Sequence, residues 1–359
     1  MTTHLARRDT PNASTFIGAM TSILVIGGAG FIGSHTCKAL RQAGFTPVSY
    51  DNLSRGNAEA VKWGPLEVGD LTDRARLREA VARHHPAAVV HFAALAYIGE
   101  SNDRPAAYYA NNVGGTAALL EIMQESGLRH IVFSSTCAVY GTPETIPISE
   151  TSSLAPINPY GASKMICERM LRESAAAFPL TFMALRYFNA AGADPDGEIG
   201  ECHVPETHAI PLILDAAAGA ANGFTIFGAD YPTADGTCIR DYIHVTDLAD
   251  AHVAALRALV DGSDSAALNL GAGRGWSVRE LVESVRQITN RELKVRVGPR
   301  RPGDPPVLVA NADRARQKLG WQPRYSDLAT QVTHAWTWRQ GVSRTWKRMQ
   351  TPSGRAILG

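Results

Sequence analysis

The stretch "SILVIGGAGFIGSHTCKALRQAG", residues 22–44, decides the fold. Ile23 to Ile26 form an apolar run of the length a buried strand needs, and Ile32, Cys37 and Leu40 recur further on as one side of a helix. Between them stand Gly27, Gly30 and Gly33, spaced G-x-x-G-x-x-G. Glycine lets a chain turn sharply from strand to helix and lets backbone approach a diphosphate, which then meets the positive end of the helix. The first gap is one residue longer than in G-x-G-x-x-G, so the context has to carry the reading.

That context follows at once. A second strand, "TPVSYD", ends in Asp51 about 20 residues after the turn, where a carboxylate accepts hydrogen bonds from adenosine ribose hydroxyls. A negative charge there repels a 2′-phosphate, so NAD is expected rather than NADP. The plainer reading of Asp51 is the start of a turn with Asn52. Strand and helix then alternate: "LEVGDL" before "DRARLREAVARHH", "AAVVHFAAL" before one long helix through "AAYYANNVGGTAALLEIMQESG", then "HIVFSSTCAVYG". Such alternation predicts an α/β fold, a Rossmann-type doubly wound parallel sheet, whose ligands bind beyond the carboxyl ends of the strands. Asp70, Leu71, Phe92, Ala93, Ala94, Ser134, Ser135 and Thr136 fall at those ends.

Tyr160 and Lys164 of "NPYGASK" sit at i and i+4 behind an Asn-Pro turn, on one face of a helix. An ammonium beside a phenol favours phenolate, so a group with a reference pKa of about 10 becomes usable as a base near neutrality. Alternatively Tyr160 is half buried and Lys164 merely solvated. A nicotinamide on the same sheet edge favours the first reading, with a Thr136 hydroxyl sharing the proton; the competing reading of Ser134-Ser135-Thr136 is a strand end bonded to its own backbone.

Composition narrows the classes. Of 359 residues, 45% are hydrophobic and 19% charged, as in a globular chain large enough for two domains. A net charge of +1 leaves no electrostatic footprint for nucleic acid or an anionic membrane. Five scattered cysteines, with no C-x-x-C pair, fit a reducing compartment, and the chain is expected in the cytoplasm. Cys202, His203 and His208 do not complete a familiar ligand spacing, so no metal is expected. "MTTHLARRDTPNASTFIGAM" lacks the apolar stretch of a signal peptide.

The motifs "GGAGFIGSHT", "DNLSRGN", "HFAALAYIGES", "YYANNVGGT", "FSSTCAVYG", "PYGASK", "LRYFNAAGA", "IFGADYPTADGTCIRDYIHVTDLADAH", "NLGAG" and "PRRPGD" occur in order over about residues 22–341. In them the chain resembles the NAD-dependent epimerase/dehydratase branch of the extended short-chain dehydrogenase/reductases, in particular its UDP-glucose 4-epimerases. The resemblance implies interconversion of UDP-glucose and UDP-galactose through transient oxidation at C4 of the hexose. It makes Tyr160 the base, Lys164 the holder of the nicotinamide ribose, and Thr136 the partner of the sugar hydroxyl. It adds Phe31, Ile32, Asn52, Asn111, Ser134 and Tyr187 to the cofactor site, and a homodimer through Thr116 to Glu125 and Ile166 to Arg172.

Beyond "LRYFNAAGA" the chain turns richer in Gly, Pro and polar turns, with short strands such as "FTIFG" and a helix opened by a Ser277-x-x-Glu280 capping box. A smaller α/β domain closing over the sheet edge is expected, in the division 1–20 extension, 21–190 cofactor domain, 191–343 nucleotide-sugar domain with segments returning to the first, and 344–359 tail. Arg240 and Arg301 have the forked geometry of a diphosphate clamp, or are surface ion pairs. The resemblance favours the clamp, and implies Asn189 at the phosphates, Phe227 on uracil, Asp304 at the uridine ribose, and His208, Ala209, Phe224 and Leu308 in the substrate wall. His208 replaces an asparagine, Ala96 a lysine and Leu308 a tyrosine found in relatives. A 4,6-dehydratase or decarboxylase is the nearest rival, but dehydratases place Asp-Glu after the threonine, where Cys137-Ala138 stand here. A regulator that senses NAD without turnover has no need of Tyr160, Lys164 and Thr136 together.

Overall fold

The computed structural model describes residues 21–301 and 303–349. The expected extension 1–20 and residues 350–359 of the expected tail lie outside the described residues.

Alternating segments fold as the pattern predicts. β1 (Ser22–Ile26), α1 (Phe31–Gln42), β2 (Thr46–Asp51), β3 (Leu66–Val68), α2 (Arg74–His84) and β4 (Ala88–His91) lead to two short helices, α3 (Ile98–Asp103) and α4 (Pro105–Tyr108). Then come α5 (Gly115–Ser126), β5 (His130–Thr136), α6 (Pro159–Ala177) and β6 (Thr181–Tyr187). The sheet is parallel throughout, in the order β10 (Ala266–Leu270)-β6-β5-β4-β1-β2-β3. The chain winds outward from β1 through β3 and then restarts at β4 on the other side, so a crevice opens between β1 and β4 at their carboxyl ends. In β1, Ile23 and Val25 enter one apolar layer and Leu24 and Ile26 the other, all four buried.

The second part contains β7 (Asn189–Ala191), α7 (Ala209–Ala217), β8 (Phe224–Phe227), β9 (Ile239–His244), α8 (Val245–Val260) and β10 (Ala266–Leu270). β11 (Gly275–Ser277), α9 (Val278–Thr289), β12 (Val295–Gly298), β13 (Val307–Leu308), α10 (Asp313–Leu319) and α11 (Leu328–Met349) complete it. A small sheet runs β11-β9-β13 with β7 on β9, and β8 pairs with β12. Two segments of this part belong to the first sheet: β10 pairs with β6, and α8 lays Leu248, Leu256 and Leu259 into the layer that holds Ile23 and Val25. Each such leucine, fully buried, contributes about 1.5–3 kcal/mol of hydrophobic stabilisation.

Three local features differ from or refine the sequence reading. The long helix expected over "AAYYANNVGGTAALL" is interrupted by a π-helical stretch, Tyr109–Gly114. Asn112 holds that widened turn: its amide accepts from the Leu95 N–H at 2.8 Å and donates to the Leu95 carbonyl and the Ser163 hydroxyl, both at 3.0 Å. α11 continues to Met349, past the expected domain limit at 343. The Ser277–Glu280 capping box forms in both directions.

Candidate active site

The glycine turn is held by contacts that admit no side chain. At Gly27 φ is +83°, and an added Cβ would stand 2.6 Å from the Ala93 nitrogen; at Gly33 it would stand 2.1 Å from the Gly27 carbonyl oxygen. Gly30 differs, since a Cβ there meets nothing nearer than 3.4 Å. The bare side of Gly30 therefore faces the cleft, at the N-terminus of α1, whose first turn carries no acidic residue. A diphosphate fits that cradle. Asp51 braces the turn from below: one carboxylate oxygen accepts from the Ala29 N–H at 3.0 Å, the other from the Leu53 N–H at 2.8 Å. Burial pushes its carboxyl upward and these bonds pull it back. Asp51 lines the cleft beside Asn52, as a ribose ligand must.

Helix α6 delivers the candidate base. Asn158 caps it by accepting from the Gly161 N–H at 2.8 Å, and Pro159 opens its first turn. Gly161 packs so tightly on the Ala138 carbonyl that a Cβ would lie 2.4 Å away, which brings Tyr160 against the end of β5. Burial pushes the Tyr160 phenol well above its ordinary value, and the Thr136 hydroxyl beside it acts the other way. Lys164, expected to act on the phenol, instead donates to the Ser134 carbonyl at 2.7 Å and lies 4.7 Å from the centre of the Phe133 ring. Enclosed as it is, its ammonium is lowered to about 8 by burial. In the chain alone, burial favours phenol over phenolate, and the enclosed ammonium takes the acceptor its stem can reach.

The far end of the cleft is built from paired charges. One guanidinium nitrogen of Arg240 binds Asp304 while another donates to the Ile239 carbonyl at 2.8 Å. Arg301 lies 4.2 Å from the centre of the Phe227 ring, which stays 36% exposed. Asn189 donates to the Asp241 carbonyl at 3.2 Å, and Leu308 stands beside Arg240 in register. His208, the cap residue of α7, meets Glu201 at 2.7 Å and Glu206 at 2.9 Å. Burial opposes its charge, but those carboxylates push the imidazole up to about 10.

One continuous cleft of about 1390 Å³ joins the two ends. It is lined by Gly27, Gly30, Phe31, Ile32, Gly33, Leu71, Phe92, Ala93, Ala94, Asn111, Ser134 and Tyr187 on the cofactor side, and by Ala209 and Phe224 with the groups above on the other. Two expected ligands are not in its wall. Ser135 points to the opposite side of β5 from Ser134 and Thr136, as alternate strand residues must, and donates to Glu168 at 2.6 Å. Asp70 spends its carboxylate on Asn52 at 2.7 Å and on the Thr72 N–H at 2.8 Å. Sequence reasoning missed Arg55, which ion-pairs with Glu100 at 3.0 Å and lies 4.7 Å from the Tyr97 ring centre. Its place just after Asp51 in "DNLSRGN" was the available signal. Glu201, His203 and Glu206 also line the cleft unforeseen.

Comparison with known proteins agrees with this architecture. Residues 23–271 match the NAD dependent epimerase/dehydratase family. The chain is 55% identical over 317 residues to the UDP-glucose 4-epimerase of Rhizobium meliloti strain 1021, spanning 88% of this chain and 96% of that protein. The crystal structure of UDP-glucose 4-epimerase from Brucella ovis in complex with NAD superposes with a TM-score of 0.86 at 52% identity, over 88% of this chain and 97% of that one. The UDP-Glc/GlcNAc 4-epimerase from Campylobacter jejuni gives 0.78 at 40% identity, over 89% and 99%. A family match over most of the chain, with relatives this similar over most of both chains, means that the chain belongs to the NAD-dependent epimerase/dehydratase family.

Proposed function

We propose that this protein is an isomerase that interconverts UDP-glucose and UDP-galactose at C4 of the hexose, with NAD as its resident cofactor. The observation that carries this reading is the placement of Tyr160 beside Thr136 in a cleft that joins the Gly30 cradle to the Arg240–Arg301 end. When bound, NAD supplies a hydride acceptor that is regenerated in each turnover, and a positive charge that favours the phenolate the chain alone disfavours.

The remaining work falls to this chain's side chains. Tyr160 holds and moves the proton of the sugar 4-hydroxyl, and Thr136 orients that hydroxyl. Lys164 anchors the Ser134 carbonyl and presents its charge to the nicotinamide ribose. Arg240 and Arg301 hold the diphosphate, with Asn189 beside them. Phe227 offers its exposed ring to uracil and Asp304 its carboxylate to the uridine ribose. Around the hexose stand Leu308, Cys137 and Ala96, none of which can grip a hydroxyl strongly, so the ring is free to present either face of C4. Cys137 also argues against water elimination, because burial pushes its thiol up to about 12 and it keeps its proton at neutral pH.

The protein acts as a homodimer through the outer sides of α5 and α6, in the cytoplasm, where its cysteines stay reduced; among the described residues all five are free. No described helix is long and apolar enough to cross a membrane. Incubating the purified protein with UDP-galactose, with no nucleotide added, should yield UDP-glucose, and the reverse incubation UDP-galactose. Stoichiometric consumption of added NAD, or a dehydrated sugar product, would replace this reading with a dehydrogenase or a dehydratase.

A further inference from the structure

The ion pairs around the first sheet differ in what they join. Arg74 with Glu121 and Arg78 with Glu125, at 2.8 and 2.7 Å, tie α2 to α5 at the surface. Arg55 with Glu100 is of another kind. Arg55 belongs to the turn that follows β2 and Glu100 to α3, which follows β4, while β1 and its glycine turn lie between those two strands. The pair therefore bridges the crevice at the carboxyl end of β1, the place where a dinucleotide crosses such a sheet. Arg55, Tyr97 and Glu100 line the same cleft as Gly27, Gly30 and Asp51.

Each side of the bridge has its own foundation. The turn that carries Arg55 is fastened to the glycine turn, because the Asn57 N–H donates to the Ala29 carbonyl at 2.9 Å and the Leu53 N–H to Asp51 at 2.8 Å. Gly56 closes it down further, since a Cβ there would stand 2.8 Å from the Asp51 carboxylate and 2.9 Å from the Ala29 side chain. Across the crevice, the hydroxyl of the fully buried Tyr108 accepts from the Tyr97 N–H at 3.0 Å and lies 3.2 Å from the Glu100 carboxylate. Arg104, one helical turn on, donates to Glu100 at 3.2 Å.

Between these foundations one guanidinium nitrogen of Arg55 lies 3.0 Å from both oxygens of Glu100, and the guanidinium carbon lies 4.7 Å from the centre of the Tyr97 ring. An exposed ion pair is worth little. Here the side chains keep only 33% and 21% of their exposure, and the ring adds a cation–π contact on a second side.

We propose that Arg55 and Glu100 form a strap that closes over bound NAD and sets the rate at which it leaves. A cofactor regenerated in every turnover gains nothing by leaving, and a contact that must open first slows its escape without entering the chemistry. Arg55 is thus a positioning residue. The inference rests on NAD as the resident cofactor and is independent of the sugar. A guanidinium that served simply as a phosphate ligand would have to leave Glu100, so removing that carboxylate would then tighten the cofactor; a strap makes the opposite demand.

The full chain is loaded with NAD, freed of excess by gel filtration, and the NAD still attached is followed over time with no sugar present. Arg55→Gln and Glu100→Gln should each release it roughly tenfold faster than the native chain, the ratio that about 1.4 kcal/mol of opening cost gives. The double variant should be no faster than either single one, because a strap is broken only once. Arg55→Lys should recover part of the delay. Native release rates in both single variants overturn the strap, as does slower release from Glu100→Gln or a double variant whose effects multiply. Should one single variant fail to fold, the other and Arg55→Lys decide by the same rates. A native chain that takes up no NAD at all overturns the cofactor reading and the strap with it, whereas the other adverse results sink the strap alone.

Discussion

At the cofactor end of the cleft, position is set by backbone: Gly27 and Gly33 touch main-chain atoms, and Asp51 holds the turn through two N–H groups. At the sugar end it is set by side chains paired with one another, Arg240 with Asp304, Arg301 with Phe227 and His208 with Glu201 and Glu206. The first arrangement is rigid and specific to one ligand shape. The second has to exchange partners when a substrate arrives, because Arg240 cannot give the same donor to Asp304 and to a phosphate. The contrast matches the chemistry, in which one ligand stays and the other must leave in altered form.

Tyr160 stands where the two ends meet, and its removal should have the largest effect. Tyr160→Phe should fold, keep its NAD and lose turnover by roughly 10²-fold or more, the usual loss for a general base; steady-state rates with UDP-galactose near the native value would remove it from the mechanism. Gly33→Ala tests the rigid end. Its Cβ would meet a backbone oxygen, so something must shift, at a typical overpacking cost of about 1–3 kcal/mol. The melting temperature should fall and the protein should emerge without NAD; full NAD occupancy would show that this end yields more than the contrast allows.

Arg240→Lys tests the paired end. An ammonium keeps the charge but not the fork, so KM for the UDP-sugar should rise about tenfold, or roughly 1.4 kcal/mol, with kcat little changed. An unchanged KM would mean that the Asp304 pair is structural and phosphate is held elsewhere. The smallest effect belongs to Leu308, beside Arg240 on β13. We expect the native enzyme to prefer the UDP-glucose pair and to turn over the N-acetylated pair weakly. Leu308→Tyr should sharpen that preference by no more than the 1–3 kcal/mol typical of one pocket contact, read as the ratio of kcat/KM values. If the ratio stays put, Leu308 is not the gate.

What was legible in the sequence follows the same division. The glycine turn, Asp51 and the Asn158–Lys164 helix start are local patterns whose function depends on backbone geometry, and local patterns survive in sequence. Less legible are the places where a side chain's partner is chosen across the fold. Ser135 reads together with its neighbours, but strand alternation turns it toward Glu168. The i, i+4 spacing points Lys164 at the phenol, whereas the acceptor it reaches is the Ser134 carbonyl, thirty positions back. The Arg240–Asp304 pair spans 64 positions, and no spacing rule reports it. The Glu201 to His208 group is different: "ECHVPETH" shows its alternating acids and imidazoles plainly, and the fold pairs them with one another.

The return of α8 and β10 to the first sheet bears on how the protein is made. A ribosome that has released residues 21–190 has produced the strands that touch NAD but not Leu248, Leu256, Leu259 or Leu268, which cover one side of them. Until residue 270 emerges, Ile23, Val25, Val90 and Val132 lack part of their cover, and β6 presents a bare edge where β10 belongs. The apparent N-terminal domain is therefore not a unit of synthesis. Its completion waits on the segment of chain that also builds the substrate's side of the cleft, so that a nascent chain gains its cofactor platform and the floor of its sugar site in nearly the same interval.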